Sequence, residues 1–301
     1  MNMKIIGVTG TNGKTTTCYM IHRMMVDAGY KTALLSTVAN GVGDDITPQS
    51  FHMTTVSAPM LNKRLKEFKD KGAEWVVLET TSHALAQGRV WGIPYQIAVL
   101  TNITHEHLDY HGTFLAYVKA KRKLFEIASG HKDGFAVINA DDPVRKAFQA
   151  SSKQSVTYGL NDGDLTASNI SYKSDSSRYT ATIEKDSYDV TCKIPGEFNV
   201  YNSLAAIAVG RRVGLSKEQI EQGIAALESV DGRMMRVQAG QVFTVIVDFA
   251  HTPDSFERLL SDVRKHTTGK MVVMFGSAAK RDVSKRAIQG EIAGKYADEV
   301  V

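Results

Sequence analysis

The sequence predicts an α/β protein: a parallel sheet covered by helices on both faces, a small antiparallel sheet at its edge, and a second, partial α/β unit. Three observations predict it. Up to about residue 160, short apolar runs alternate with helical periods, as parallel strands joined by crossover helices do. Between 164 and 194 the period becomes two, with polar turn clusters between the runs. After "ESVDGRMMRV", residues 228–237, strand and helix patterns start afresh and reach the last residue, Val301.

In order, residues 4–8 read as a strand and 14–28 as an amphipathic helix. Residues 32–37 read as a strand, 59–71 as a helix and 74–78 as a short buried strand. A strand over 96–100, a helix over 114–127 and strands over 134–138 and 155–158 complete the parallel series. Segments 164–171, 178–184 and 188–194 alternate polar and apolar residues; Asp175-Ser176-Ser177 and Lys185-Asp186-Ser187 separate them as turns of a meander. Helices follow over 199–213 and 217–227, the first ended by Gly214 and the second capped by Ser216. The second unit reads strand 243–248, helix 253–265, strand 270–275, helix 284–296 and a strand beginning at 298. About three parallel strands make a poor independent sheet. The division falls in the linker, giving units 1–232 and 233–301.

A chain of 301 residues suggests two domains, and 43% hydrophobic with 23% charged residues is ordinary for a globular protein. The net charge of +4 comes from scattered basic residues. That argues against a nucleic-acid partner and suits a small polyanionic substrate. Cys18 and Cys192 lie far apart in periodic segments and read as small core hydrophobes without a disulfide. There is neither a secretory apolar region nor a run long enough to cross a bilayer, so a cytoplasmic location without a membrane partner is expected.

Four stretches carry chemistry. "GVTGTNGKTTT", residues 7–17, follows an apolar strand and opens a helix. The textual rule G-x-x-x-x-G-K-[ST] fails by one position, because Val8 stands where its first glycine should fall. Yet a strand, a glycine-rich turn and a helix N-terminus present N–H groups to an anion, Lys14 reaches terminal phosphates, and Thr15 offers Mg²⁺ a hydroxyl. In "VVLETTSHAL", Glu79 ends a buried strand, where open α/β sheets bind ligands. It reads as a Mg²⁺ ligand or as a hydrogen-bonded strand-end carboxylate. "TNITHEHLDYHG" gathers His105, His107 and His111 with Glu106 and Asp109 as metal-ligand candidates or structural histidines, without the H-E-x-x-H spacing of zinc proteases. "KAKRKLF" puts Lys119, Lys121, Arg122 and Lys123 on one helix; the residue pattern by itself does not single out Lys121.

Together these residues match a family. GTNGKTTT, LETTSHAL, TNITHEHLDYHG, INADDP, IPGEFNVYN, DGRMMRV and VDFAHTPDSFE occur in the order seen in the Mur ligases. The chain most resembles their MurE type, which adds an amino acid to UDP-MurNAc-dipeptide. These ligases have a similar G-T-N-G-K-T loop with a displaced first glycine, which accounts for the misplaced spacing. The resemblance implies a P-loop NTPase-like central domain with a parallel sheet and a small antiparallel edge sheet, followed by a partial Rossmann-like α/β C-terminal domain.

The resemblance also implies ATP-driven amide formation in peptidoglycan-precursor synthesis. A peptidyl carboxylate attacks the γ-phosphate, and an amino group displaces phosphate from the resulting acyl phosphate. Positioning and cationic stabilisation would carry most of the catalysis. Carried over, Gly10, Thr11, Asn12, Gly13, Lys14, Thr15 and Thr16 hold the phosphates, with Lys14 on the β/γ oxygens and Thr15 on one Mg²⁺. Glu79 resembles a ligand of that Mg²⁺, His107 a ligand of a second metal, and Lys121 the lysine that is N-carbamylated in the family. Asn139, Asn199 and Asn202 resemble the adenine-side wall, and Arg233 and Asp248 the contacts to phosphate and ribose. Thr54, Thr55, Thr81, Gln87 and Arg89 fall where the family grips the UDP-MurNAc-peptide.

Departures are present. Glu106 stands where the family's D-H-L-D has aspartate, and Met53 where asparagine precedes the Thr-Thr pair. The loop G-C-G-G-D-R-D reads Gly276-Ser277-Ala278-Ala279-Lys280-Arg281-Asp282. The match lacks the N-terminal uridine-binding domain and stops before the D-N-P-R segment, so a truncated C-terminal domain is expected, prone to self-association from about residue 238 onward. Two other functions compete: a folylpolyglutamate-synthase-like ligase, and a non-catalytic nucleotide-binding remnant serving as a scaffold. LETTSHAL and HLDYHG favour the MurE type.

Overall fold

The computed structural model describes residues 3–49, 53–104, 106–173, 175–277 and 284–301. The chain opens with β1 (Lys4–Thr9), α1 (Lys14–Asp27), β2 (Thr32–Leu35), β3 (Ala39–Val42), β4 (Asp45–Pro48), α2 (Ala58–Asp70), β5 (Trp75–Glu79) and α3 (Ser82–Ala86). It continues with β6 (Tyr95–Leu100), α4 (Leu108–His111), α5 (Phe114–Ser129), β7 (Phe135–Asn139), α6 (Arg145–Gln149) and β8 (Ser155–Gly159). The meander is β9 (Leu165–Tyr172), β10 (Ser177–Ile183) and β11 (Asp186–Cys192), before α7 (Glu197–Val213) and α8 (Lys217–Ala226). The last elements are β12 (Met235–Val237), β13 (Val245–Val247), α9 (Pro253–Lys265), β14 (Val272–Val273), α10 (Ser284–Tyr296) and β15 (Glu299–Val300).

One large sheet runs β11-β10-β9-β8-β7-β6-β1-β5-β2-β3-β4. Its centre is parallel: β1 pairs with β5 (Ile6↔Val77) and with β6 (Val8↔Val99), and β7 joins β6 (Val99↔Val137). Both faces are buried, which explains the continuous apolar runs. In β1, Ile6 and Val8 pack with Met20, Met24 and Leu204 on one face, while Ile5 packs with Leu65 and Phe125 on the other. β5 alternates likewise, Val77 to the first core and Val76 and Leu78 to the second. The meander is antiparallel and closes one edge, as its period-two pattern requires.

The opposite edge was not foreseen. β3 and β4 form an antiparallel hairpin, Val42↔Asp45, around Gly43-Asp44. The two residues between the strands are a hairpin signal. The strands themselves hide it, because Ala39-Asn40-Gly41-Val42 has no alternation. A Cβ on Gly41 would stand 2.0 Å from the Asp45 carbonyl oxygen, so this strand pair requires glycine there.

The end of the chain differs from expectation. Strand 243–248 does not enter a parallel sheet with its successors. Val245–Val247 pairs antiparallel with Met235–Val237 (Arg236↔Ile246), inside the stretch read as linker. Three alternating residues are too few to stand out as a strand. Among the described residues of this second unit, β14 and β15 alone pair in parallel, Val272↔Glu299. α9 and α10 pack on that pair through Phe256, Leu260, Met271, Val273 and Ile292.

Candidate active site

The C-terminal ends of β1, β5 and β6 open onto one cavity of about 310 Å³, the expected ligand edge of a parallel sheet. Its far wall comes from the segment around β13 and the start of α9. The glycine-rich turn forms the floor. Gly13 caps α1 at φ 83°, a left-handed conformation that glycine adopts without steric cost. Asn102, after β6, fixes this turn: its carbonyl accepts Thr11 N–H at 2.7 Å and its Oδ1 accepts Asn12 N–H at 2.9 Å. The first-turn N–H groups of α1, which no helical carbonyl takes, remain as anion donors. Lys14 Nζ donates back to Gly10 O at 3.1 Å and Thr11 O at 2.7 Å, a cation held within its own loop.

Glu79 is 1% exposed. Its Oε1 and Oε2 each accept Thr15 Oγ1 at 3.2 Å, and Oε2 also accepts Thr37 N at 2.8 Å and Thr37 Oγ1 at 2.9 Å. These partners are threonines, not a cation. A carboxylate this deep is costly without positive charge, and Thr15 and Glu79 offer the hard oxygen set that Mg²⁺ takes. The residues therefore fit a magnesium ion. Arg233 reaches in from the linker: Nη2 donates to Thr15 Oγ1 at 3.2 Å, and its guanidinium lies 4.6 Å over the Phe249 ring. Asp248 accepts Met234 N and Ala250 N, both at 2.8 Å, and burial raises its carboxyl against those bonds.

Lys121 is 2% exposed, unlike its neighbours Lys119 and Lys123. Its Nζ donates to Gly10 O at 2.6 Å and lies 4.6 Å over the Tyr117 ring. Burial first, then the Lys14 ammonium, push it well below the usual lysine range. His107 lines the cavity, and burial and neighbouring cations bring it to about 4 despite Glu106. A neutral imidazole can give a lone pair to a metal. Burial would raise Glu106, but the His251 contact, then Lys14, His107 and Lys121, bring it to about 2.

The described residues of the histidine loop do not form one ligand cluster. His111 Nε2 meets Ser82 Oγ at 3.1 Å, Asp109 is exposed, and His105 lies outside the described residues, as does most of the 276–282 loop. No group of three His, Cys, Asp or Glu side chains is set to hold a metal among the described residues. The loop winds into α4, which brings His111 to Ser82 of α3, while the His107 and His111 rings both flank His83, at 4.6 and 5.5 Å between centroids.

The asparagines separate. Asn199 and Asn202 line the cavity and are joined, Asn202 Nδ2 to Asn199 Oδ1 at 2.9 Å. Asn139 is not on the cavity lining; its Nδ2 donates to Thr101 O at 2.7 Å and braces the turn from below. Thr54, Thr55, Thr81 and Arg89 make one rim network. Thr37 Oγ1, its proton given to Glu79, meets the Thr54 hydroxyl at 3.0 Å; Thr81 N donates to Thr55 Oγ1 at 3.1 Å, and Arg89 Nη1 to Thr55 O. Gln87, at the end of α3, is exposed. Thr37 and His251 also line the cavity. The position of Thr37 after a parallel strand was the signal for it.

Residues 8–210 match the Mur ligase middle domain, and residues 232–301 match the Mur ligase glutamate ligase domain. The chain belongs to the Mur ligase family. It is 38% identical over 99% of its length to the UDP-N-acetylmuramyl-tripeptide synthetase of Roseiflexus sp. (strain RS-1). It is 41% identical over 99% of its length to the UDP-N-acetylmuramoyl-L-alanyl-D-glutamate--2,6-diaminopimelate ligase of Geobacillus kaustophilus (strain HTA426). The chain spans 62% of each of these relatives. A solved UDP-N-acetylmuramoyl-L-alanyl-D-glutamate--2,6-diaminopimelate ligase superposes with a TM-score of 0.79 at 30% identity, covering 100% of this chain and 61% of that one. Among the described residues of this Mur ligase, no helix is long and apolar enough to cross a membrane.

Proposed function

We propose that this chain carries the ATP-binding and phosphoryl-transfer core of an amide ligase of peptidoglycan-precursor synthesis, which adds an amino acid to UDP-MurNAc-dipeptide. The observation that carries the reading is that Lys14 and Thr15, Glu79, and Arg233 and Asp248, from three stretches far apart in sequence, line one cavity. Lys14 and the α1 amides hold ATP phosphates; Thr15 and Glu79 hold Mg²⁺, which supplies charge neutralisation at the transferring phosphoryl group. His107 holds a second metal ion. Asn199, Asn202 and Asp248 border the nucleoside, with Asn139 as a brace behind them. Thr54, Thr55, Thr81, Gln87 and Arg89 grip the peptide substrate at the rim, beside Glu79.

Lys121 fits carbamylation. Burial disfavours the ammonium form of Lys121; its free amine would add CO₂ and release a proton, giving a carbamate anion. An anion there suits metal binding, whereas an ammonium would repel the cation. The reaction joins a carboxylate to an amine with ATP cleaved to ADP and phosphate, in the cytoplasm where these substrates meet.

The test incubates the chain with ATP, Mg²⁺, UDP-MurNAc-L-Ala-D-Glu and either meso-diaminopimelate or lysine, and reads ADP and the new amide by mass spectrometry. Product with one amino acid supports the reading. Glutamate added to folate would replace it with a folylpolyglutamate-synthase-like activity. Mg²⁺-dependent ATP binding without acceptor-dependent phosphate release would leave a nucleotide-binding scaffold.

A further inference from the structure

We propose that Glu106 is a positioning residue that sets the His107 imidazole, and that His251 ties this setting to the C-terminal unit. The proposal rests on the functional reading above, in which His107 holds a metal ion. Glu106 Oε1 stands between two imidazoles, 3.7 Å from His107 Nε2 and 3.5 Å from His251 Nε2. Its Oε2 accepts the Tyr117 hydroxyl at 3.5 Å, and that hydroxyl meets Thr11 Oγ1 at 2.9 Å. The Glu106 side chain is only 10% exposed. One carboxylate thus faces the histidine loop, the phosphate loop through Tyr117, and the segment before α9.

A carboxylate accepts and does not donate. At 3.7 Å the His107 contact is longer than a hydrogen bond; once drawn to bonding distance, an imidazole that faces the carboxylate through Nε2 carries its proton there. For His107 this leaves Nδ1 with the lone pair, the usual arrangement in which a carboxylate behind a histidine fixes which nitrogen meets the metal. The other ring neighbours do not fix it: His83 lies edge-on at 4.6 Å and Tyr117 at 6.4 Å between ring centroids. The His107 backbone sits at φ 56°, left-handed and unusual for a residue with a Cβ, so the turn aims the ring at some steric cost. His251 competes for the same oxygen. It is anchored from its own side, since its carbonyl accepts Lys285 Nζ and Gln289 Nε2 of α10, each at 3.1 Å. When the C-terminal unit docks, His251 draws on Glu106; when it leaves, Glu106 is held by His107 and Tyr117.

The test reads the imidazole directly. In ¹⁵N-histidine-labelled protein without metal or nucleotide, long-range ¹H–¹⁵N correlation reports the tautomer of His107, identified by its loss in His107→Gln. We expect the Nε2–H form in wild type. Glu106→Met, similar in size and without the acceptor, should give a mixture of tautomers. Glu106→Gln keeps an acceptor oxygen and should restore the wild-type form. His251→Leu should leave the Nε2–H form in place and speed amide exchange in α9. With Mn²⁺ as the probe, Glu106→Met should bind about tenfold more weakly than wild type, the lower end for such partners. An Nδ1–H tautomer in wild type, or an unchanged tautomer in Glu106→Met, overturns the proposal. Whether wild type binds Mn²⁺ at all judges the metal reading separately, because the tautomer is read without metal.

Discussion

Gly13→Ala is the substitution whose cost the structure fixes most closely. Gly13 has φ 83° and ψ −10°, and an alanine held there carries about 1–2 kcal/mol of left-handed strain. Its Cβ would stand 2.3 Å from Asn202 Oδ1, closer than two such atoms can remain. Asn202 has little freedom to retreat. Its Oδ1 accepts Thr17 Oγ1 at 3.2 Å, and its Nδ2 donates to Asn199 Oδ1 at 2.9 Å. Giving up those two buried bonds costs about 1 kcal/mol each. The total is about 3–4 kcal/mol, a large part of the roughly 5–15 kcal/mol that holds a domain. Urea unfolding, followed by circular dichroism and by tyrosine and tryptophan fluorescence, measures it. Asn202→Ala removes the obstacle but not the backbone strain. In that background, Gly13→Ala should cost only about 1–2 kcal/mol. Equal losses in both backgrounds, or a loss below about 1 kcal/mol in the wild-type background, would refute the reasoning.

Among the described residues Lys14 hydrogen-bonds only to its own loop, so Lys14→Ala should leave the unfolding midpoint nearly unchanged. Calorimetry should show Mg·ATP affinity falling about tenfold or more, since a charge-assisted bond is worth about 1.5–3 kcal/mol. Lys121→Ala should abolish acceptor-dependent ADP release, with part of it restored by acetate or formate. A crystal grown in bicarbonate that shows a free Lys121 amine would count against the carbamate. His22 is 3% exposed, faces Thr32 O at 3.1 Å, and is pushed by burial from 6.5 to about 4. Its folded-state pKa lies below the unfolded value, so its contribution is complete above pH 6.5 and is lost as pH falls toward 4. That is about 3 kcal/mol of pH-dependent stability. Urea midpoints from pH 7 to 4 should fall less steeply in His22→Gln than in wild type.

The centre of the fold was legible because its signals are local. Strands such as β5 are apolar up to the Glu79 that ends it because both faces are buried, and the helices between them keep a 3.6 period. The meander announced itself by alternation. The β3–β4 hairpin did not, because close strand approach at Gly41 replaces the side-chain pattern that marks a strand. α3, α4 and α6 are single turns whose form follows from where the chain must go. Within the site, Lys14, Thr15 and Glu79 could be read from strand ends and a turn. Lys121 could not be told from Lys119 by residue pattern, because only burial separates them. Asn139 shares its residue type with Asn199 and Asn202 but not their cavity. The meeting of Glu106 with His251 depends on contact between the two units, which no local pattern encodes.

The proposed function stands or falls with ATP binding through magnesium held by Thr15 and Glu79. Calorimetric titration of ATP into the chain, with Mg²⁺ and with excess chelator, tests it most directly in wild type and Glu79→Gln. Saturable binding is expected with Mg²⁺, weaker by about tenfold or more under chelator and in Glu79→Gln, the loss expected from one charge-assisted contact. ATP bound equally well without Mg²⁺, or by Glu79→Gln as tightly as by wild type, would contradict it.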